Sequence, residues 1–364
     1  RSKDRDVSAL LLIGLYQLDD MRVPDHAAVA ATVDATRALG KPWAKGLTNA
    51  LLRRYLRERE DLLANIDDAA QAAHPRWMFG KIHKQWPAAA VSILQANNGP
   101  PPMSLRVNIR KTDRERYLDK LTTAGISATA SAISPHGVRL NEPLDVEQLP
   151  GFNEGEVSVQ DEAAQLAAIL LAPEPGERIL DACAAPGGKA CHTLELQPAL
   201  ETLIAADVDP LRLERVAENL TRLELEAQLM TLDASNPDDA LPANSFDRIL
   251  VDAPCSASGV IRRHPDVKVL RRPEDIGQLA GQQLAILTGL WPLLKPGGKL
   301  LYATCSIFKE ENSGVIEKFL AQQPQANYLP PPGDWGESTP FGRQLLPSTE
   351  GSDGLFYAIL QKQA

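Results

Sequence analysis

Arg178-Ile179-Leu180-Asp181-Ala182-Cys183-Ala184-Ala185-Pro186-Gly187-Gly188-Lys189 is the stretch on which the reading of the whole chain turns. A short apolar run ending in an acid reads as a buried strand, and small residues with two glycines carry it into a helix. Such a loop lets a ligand approach the backbone at a helix N-terminus, where free N–H groups and the helix dipole favour nucleotide-type ligands. Asp207 closes the next strand, Thr202–Asp207. That is about 20 residues beyond the loop, where an acid grips a ribose hydroxyl pair. Asp209 precedes Pro210 and reads as a helix cap. Asp233, after strand Gln228–Leu232, is placed for the adenine edge, the alternative being an ordinary loop aspartate. There is no GxGxxG, which disfavours a nicotinamide or flavin dinucleotide, and no GxxxxGK[ST], which disfavours an NTPase.

Outward from this loop, strand and helix alternate. Helix Glu162–Leu171 leads through Pro173 and Pro175 into Arg178–Asp181; strands Arg248–Asp252 and Lys299–Thr304 follow, with helices Pro210–Leu223 and Ile276–Leu294 between strands. The expected fold class is α/β, a doubly wound and mostly parallel sheet over residues 157–364. Asp353-Gly354 before Leu355–Leu360 suggests a final antiparallel strand.

Two of these strands end in thiols. Arg248–Asp252 continues into Ala253-Pro254-Cys255-Ser256, and Lys299–Thr304 into Cys305-Ser306. In an open parallel sheet, ligands bind beyond the carboxyl ends of the strands, so both thiols face the rim that carries the loop. A single strand-end cysteine is more often a small buried hydrophobe; two beside Asp252 point to chemistry. Cys191, on the helix after the loop, reads as core. The four cysteines form neither a CxxC pair nor a zinc spacing, so no metal is expected.

Upstream lie two further regions. Residues 1–72 read as all-helical: Val7–Leu18 as a buried helix, Ala27–Leu39 capped by Asp25, and Ala44–Glu60 with Leu47, Leu51, Leu52, Tyr55 and Leu56 on one face. Because the chain opens on Arg1 and not Met, this helical part is expected to be N-terminally incomplete. Residues 73–156 begin with a helix Pro75–Ala96, then form a small α+β unit: strand Ser104–Ile109, helix Asp113–Ala124, strands Ser127–Ile133 and Gly137–Leu140. No apolar run approaches the roughly 20 residues of a membrane span. With no signal sequence and no disulfide pattern, a cytoplasmic location is expected. The net charge of −9 is the wrong sign for a nucleic-acid partner, so binding would rest on local basic patches. Arg106 and Arg110 belong to one; Arg262 and Arg263, just after Cys255, begin another.

The chain resembles the bacterial ribosomal RNA cytosine-5 methyltransferases of the Fmu/Sun type, in the wider NOL/NOP2/Sun family. The resemblance rests on Val159–Ala163, Asp181–Lys189, Asp252–Ser256, Ser258–Asp266 and Ala303–Ser306. Val23–Ala27 and Lys45–Arg53 resemble the NusB-like RNA-binding domain of that branch. The resemblance implies a Rossmann-like class I methyltransferase sheet and S-adenosylmethionine as cofactor, held by Cys183, Ala184, Ala185, Pro186, Gly187, Gly188, Lys189, Asp207, Asp233 and Asp252. It implies Cys305 as the nucleophile that attacks carbon 6 of cytosine and Cys255 as the thiol that assists product release. The implied partner is 16S rRNA or a small-subunit assembly intermediate, with neither DNA nor membrane. Thiols suit this chemistry because carbon 5 of cytosine is a poor nucleophile until a thiolate adds to carbon 6, an addition eased by Asp252 at ring N3. Three rivals stay open: a DNA cytosine-5 enzyme, the same chemistry on tRNA or another rRNA cytosine, and a non-catalytic RNA-binding assembly factor.

Overall fold

The structure is a computed structural model that describes residues 3–237 and 241–364; Arg1 lies outside them. The chain divides into two compact units, Arg1–Gln71 and Ala72–Ala364. The first holds helices α1 (Arg5–Asp19), α2 (Asp25–Ala38), α3 (Ala44–Ala64) and α4 (Asp68–Gln71). Gly14 lets α1 approach α2 closely, since a Cβ there would lie 2.9 Å from the Thr32 methyl. Two expectations need correction. Helix α1 is not buried all round: Val7, Leu10, Gly14 and Leu18 are inside, but Leu12, Ile13 and Tyr16 are exposed. On α3 the buried stripe is Ala44, Thr48 and Leu52, leaving Leu47 and Leu51 in solvent. With a 3.6-residue turn, an apolar residue one position off the packed stripe faces outward.

The second unit opens with α5 (Arg76–Gln85) and α6 (Ala90–Asn98). The single helix expected over Pro75–Ala96 breaks because Pro87 disfavours helical geometry at Trp86, which adopts φ −133° and ψ 58°. Next come β1 (Ser104–Val107), α7 (Arg114–Thr123), β2 (Ala128–Ala130), β3 (Gly137–Leu140) and β4 (Val157–Val159). The four strands form an antiparallel sheet in the order β2-β3-β1-β4, packed around Leu105, Val107, Tyr117, Leu121 and Val138. β4 therefore belongs here, and the alternation expected from Val157 begins one element later.

The large sheet follows α8 (Glu162–Leu171): β5 (Arg178–Asp181), α9 (Gly188–Leu196), β6 (Thr202–Asp207), α10 (Pro210–Leu223), β7 (Gln228–Thr231), β8 (Phe246–Asp252), α11 (Val267–Leu270), α12 (Pro273–Leu290), β9 (Leu294–Thr304) and α13 (Ser313–Gln322). Four shorter strands end the chain: β10 (Ala326–Leu329), β11 (Glu337–Thr339), β12 (Gly342–Gln344) and β13 (Phe356–Lys362). The order is β11-β12-β13-β9-β8-β5-β6-β7, with β10 on β13. The pairs β9–β8, β8–β5, β5–β6 and β6–β7 are parallel; β13 runs antiparallel to β9, as expected. Successive strand residues face opposite layers. Leu180, Ile249 and Leu300 pack with α12 and α13, while Ile179, Leu250 and Leu301 pack with α8, α9 and α10. Both faces are covered, so the parallel strands read as unbroken apolar runs. The strand order leaves β5 in two directions, to β6 and to β8, which opens a crevice beyond the carboxyl ends of these strands. No helix of the described residues is long and apolar enough to cross a membrane.

Candidate active site

A cavity of about 390 Å³ occupies that crevice, lined among others by Cys183, Ala185, Asp207, Asp233, Asp252, Cys255 and Cys305. Residues spread over more than 120 positions of sequence are thus brought to one wall by the parallel sheet. At one end Asp207 is buried, accepting the Ala185 N–H at 3.2 Å, the Asp209 N–H at 3.1 Å and an Arg212 N–H at 3.2 Å. Its carboxylate fixes the loop it faces. Asp209 caps α10 by accepting the Leu211 N–H at 2.9 Å. Asp233 accepts the Ser235 hydroxyl at 2.6 Å and the Ser235 N–H at 2.9 Å, bonds that hold its carboxyl below the usual range.

Of the seven loop residues, Cys183 and Ala185 line the cavity; Ala184 and Pro186–Lys189 are not among its lining residues. Gly187 has a packing reason instead. It sits at φ +101°, and a Cβ there would come within 3.2 Å of the Val216 backbone on α10. Lys189 reaches back to bond Asp252. Burial opposes charge on Lys189, yet the Asp252 carboxylate outweighs it and raises the lysine pKa above its ordinary value. The sequence assigns Asp181 no individual role. It is buried with both carboxylate oxygens unpartnered, and burial, reinforced by Asp252, pushes its pKa to about 7. The sequence signal was there, an acid closing a buried strand directly before the loop.

At the other end β8 and β9 run in parallel with Asp252 opposite Ala303. Cys255 and Cys305 follow these two ends, and their sulfurs lie 3.3 Å apart, within sulfur hydrogen-bond distance. Cys255 is buried and Cys305 partly exposed. The hydrogen bond to Cys305, with burial behind it, drives the Cys255 thiol pKa well above its ordinary value. Cys255 therefore keeps its proton at neutral pH, and either sulfur can be the donor across the pair. Arg271 braces the loop by donating to the carbonyls of Cys255 and Ser256, both at 3.2 Å. Cys191 is core, fully buried against α8 and α10 residues. No group of three or more His, Cys, Asp or Glu is assembled to hold a metal among the described residues.

Three of the four arginines expected to meet RNA are committed inside the protein. Arg106 is buried: Nε and Nη2 bond Glu195 at 2.8 and 2.6 Å, and Nη1 bonds Gln160 at 2.6 Å and the Gly188 carbonyl at 2.8 Å. Arg262 is buried against Asp353 at 2.6 Å and the carbonyls of Ser348 and Gly351, each at 2.9 Å. Arg263 bonds Asp353, with Asp161 and the Pro102 carbonyl at 3.1 Å. A guanidinium held in its fork by buried acceptors is turned toward the protein interior and not toward a phosphate; Arg106 and Arg262 are buried this way, while Arg263 is half-buried. Arg110 is exposed. Arg106 instead clamps the small sheet to both ends of α9, at the Gly188 carbonyl and at Glu195, so Arg106→Ala strands the buried Glu195 carboxylate. A loss of about 3–5 kcal/mol of unfolding free energy is expected in denaturant titration; a loss below about 1 kcal/mol would refute the clamp.

The chain matches the family model described as 16S rRNA methyltransferase RsmB/F over residues 168–361. Residues 74–147 match its ferredoxin-like domain, and residues 1–57 match the NusB family. It is 51% identical to "Ribosomal RNA small subunit methyltransferase B" of Pseudomonas syringae pv. tomato, across 100% of this chain and 83% of that protein. The protein of the same name from Vibrio cholerae is 48% identical over the same shares of each chain. The crystal structure of PH0851 superposes with a TM-score of 0.85 at 26% identity, covering 99% of this chain and 83% of that one. With the strand order, the loop and the paired thiols, these matches lead to one conclusion: the chain belongs to the 16S rRNA methyltransferase RsmB/F family.

Proposed function

We propose that this protein transfers a methyl group from S-adenosylmethionine to carbon 5 of one cytosine in small-subunit rRNA, as naked 16S rRNA or within an assembly intermediate, in the cytoplasm. One observation carries the reading: two thiols 3.3 Å apart share a cavity wall with Asp207, Asp233 and Asp252. The cavity suits the cofactor. Asp207 offers acceptor-only oxygens for a ribose diol, Asp233 stands where it meets an adenine edge, and the unpartnered Asp181 carboxylate lies close to Asp252 and Lys189. Bound there, S-adenosylmethionine supplies an electrophilic sulfonium methyl.

The chain's own residues do the rest. Cys305, the more open thiol, adds through sulfur to carbon 6 of a cytosine flipped out of its stack while its proton passes to ring N3, which makes carbon 5 enamine-like. Asp252, held by Lys189, accepts the hydrogen bond of a protonated ring N3 as the adduct forms. After transfer, carbon 5 gives its proton to solvent water, the freed electron pair restores the C5–C6 double bond, and the Cys305 sulfur leaves as a thiolate that recovers the proton held at N3. Cys255 keeps its proton and donates a hydrogen bond to the departing Cys305 sulfur, stabilising the expelled thiolate. In the division of labour that follows, residues 1–72 and 73–156 bind RNA and residues 157–364 perform catalysis. The test is incubation with unmodified small-subunit rRNA and methyl-labelled cofactor, followed by mapping. One 5-methylcytosine is expected. Label on a base amine, on tRNA in preference to rRNA, or nowhere would each reject the reading.

A further inference from the structure

The two sulfurs lie 3.3 Å apart on loops beyond the ends of neighbouring strands. Two side chains on separate loops keep so short a separation only if the loops are held in register, and the hydrogen bonds beneath them show what holds them. Glu311 is fully buried in the turn between β9 and α13. One carboxylate oxygen accepts the Ser256 N–H at 2.7 Å and the Gln283 side-chain N–H at 3.2 Å. The other accepts the hydroxyls of Ser256 and Ser306, each at 2.6 Å. Ser256 is the residue after Cys255, and Ser306 the residue after Cys305. Both thiol loops therefore meet on one carboxylate, alongside direct bonds between them: the Ser306 hydroxyl lies 3.2 Å from that of Ser256 and 3.0 Å from that of Ser258, and the Gly259 N–H donates to the Cys305 carbonyl at 2.9 Å.

The carboxylate is itself anchored. Tyr302 on β9 donates its hydroxyl to the Glu311 carbonyl at 2.6 Å. Asn312 donates to the Ser306 carbonyl at 2.8 Å and accepts the Thr304 hydroxyl at 2.6 Å. Gln283 on α12 also donates to the Pro254 carbonyl at 2.9 Å. Enclosing a carboxylate this fully is expensive in desolvation, and burial raises its pKa. An apolar side chain of similar volume would fill the space but would tie neither loop.

We propose that Glu311 is a positioning residue for methyl transfer: its carboxylate binds the Cys255 loop to the Cys305 loop and sets the sulfur–sulfur separation on which the two-thiol reaction depends. The proposal rests on the reading of these thiols as the reacting groups, so its test includes a measurement that needs no RNA. Diamide oxidises two adjacent thiols to a disulfide, the diazene taking up both protons and both electrons, and the Cys255–Cys305 link is read by peptide mass. Its rate is a ruler for the sulfur pair. Glu311→Ala is expected to slow this cross-linking about tenfold and to lower kcat on rRNA by about 10- to 100-fold, the scale of a misplaced reacting group. Cofactor affinity by titration calorimetry stays within about twofold, because Asp207 and Asp233 lie outside the network. Glu311→Gln, which keeps the shape and one acceptor, restores most of both rates.

If Glu311→Ala does not fold, the double variant Ser256→Ala, Ser306→Ala removes both hydroxyl ties, leaving only the Ser256 N–H on the carboxylate, and is expected to slow cross-linking at least about threefold. Cross-linking within twofold of wild type in the folded variant overturns the proposal. So does slowed cross-linking with kcat unchanged. A wild-type protein inactive on rRNA would sink the functional reading alone, since the cross-linking rates still decide whether Glu311 sets the pair.

Discussion

Methyl transfer by the Cys305→Ala variant is expected to fall by roughly 10⁴-fold or more, the scale seen when a nucleophile is removed. The argument is geometric as well as chemical. Cys305 lies at the end of β9, partly exposed and lining the cavity, while Cys255 beside it is buried and keeps its proton. Only the open thiol has room to meet a base entering the crevice. Removing one sulfur from a half-exposed loop position disturbs no core cluster severely, so the variant should fold and bind cofactor like wild type. Single-turnover assays with labelled cofactor measure the loss, and calorimetry verifies the retained binding. Turnover retained in this variant, together with total loss in the Cys255 variant, would reverse the two roles and favour the DNA-type arrangement.

Cys255→Ala gives a different signature. If Cys255 eases the departure of the Cys305 sulfur, its removal leaves formation of the adduct possible but slows release. Turnover should drop by about 10²- to 10⁴-fold, the range of a lost proton-handling group, and a covalent RNA–protein complex should accumulate. Denaturing gels with end-labelled rRNA display that complex as a slow band that needs both cofactor and Cys305. The double variant is expected to show no band. A Cys255→Ala protein that turns over normally, with no trapped complex, removes Cys255 from the reaction.

Much of the catalytic sheet was legible because its strands are buried on both faces. Thr202–Asp207, Arg178–Asp181 and Pro210–Leu223 appear in the structure with the boundaries read from sequence. Unbroken apolar runs, proline at a helix start and an aspartate cap are local signals, and here local preference and tertiary packing agree. The sequence does not mark β10, β11, β12 and α13: β10 and β11 are short and exposed or half-exposed, and β12, though buried at both ends, has only three residues, too few for a periodicity. The helix expected over Pro75–Ala96 failed at a local signal, Pro87, which the apolar pattern around it outweighed.

The arginines show the limit most sharply. Arg106, Arg262 and Arg263 look like phosphate ligands in a list of basic residues, yet their partners Glu195 and Asp353 lie about 90 residues away. No window of sequence pairs them. Glu311 escaped for the same reason, since its meaning comes from Ser256, which is 55 positions earlier.

The sequence by itself determined that two thiols and an acid stand at strand ends beside a cofactor-type loop, because strand alternation and small-residue turns are written in neighbouring residues. Only the tertiary structure decided that the sulfurs meet at 3.3 Å, that Cys255 is the buried one of the two, and that most of the expected RNA-binding arginines are bonded within the protein. Separation, burial and pairing are properties of residues brought together across long stretches of chain, and desolvation acts on them only once the chain has closed around them.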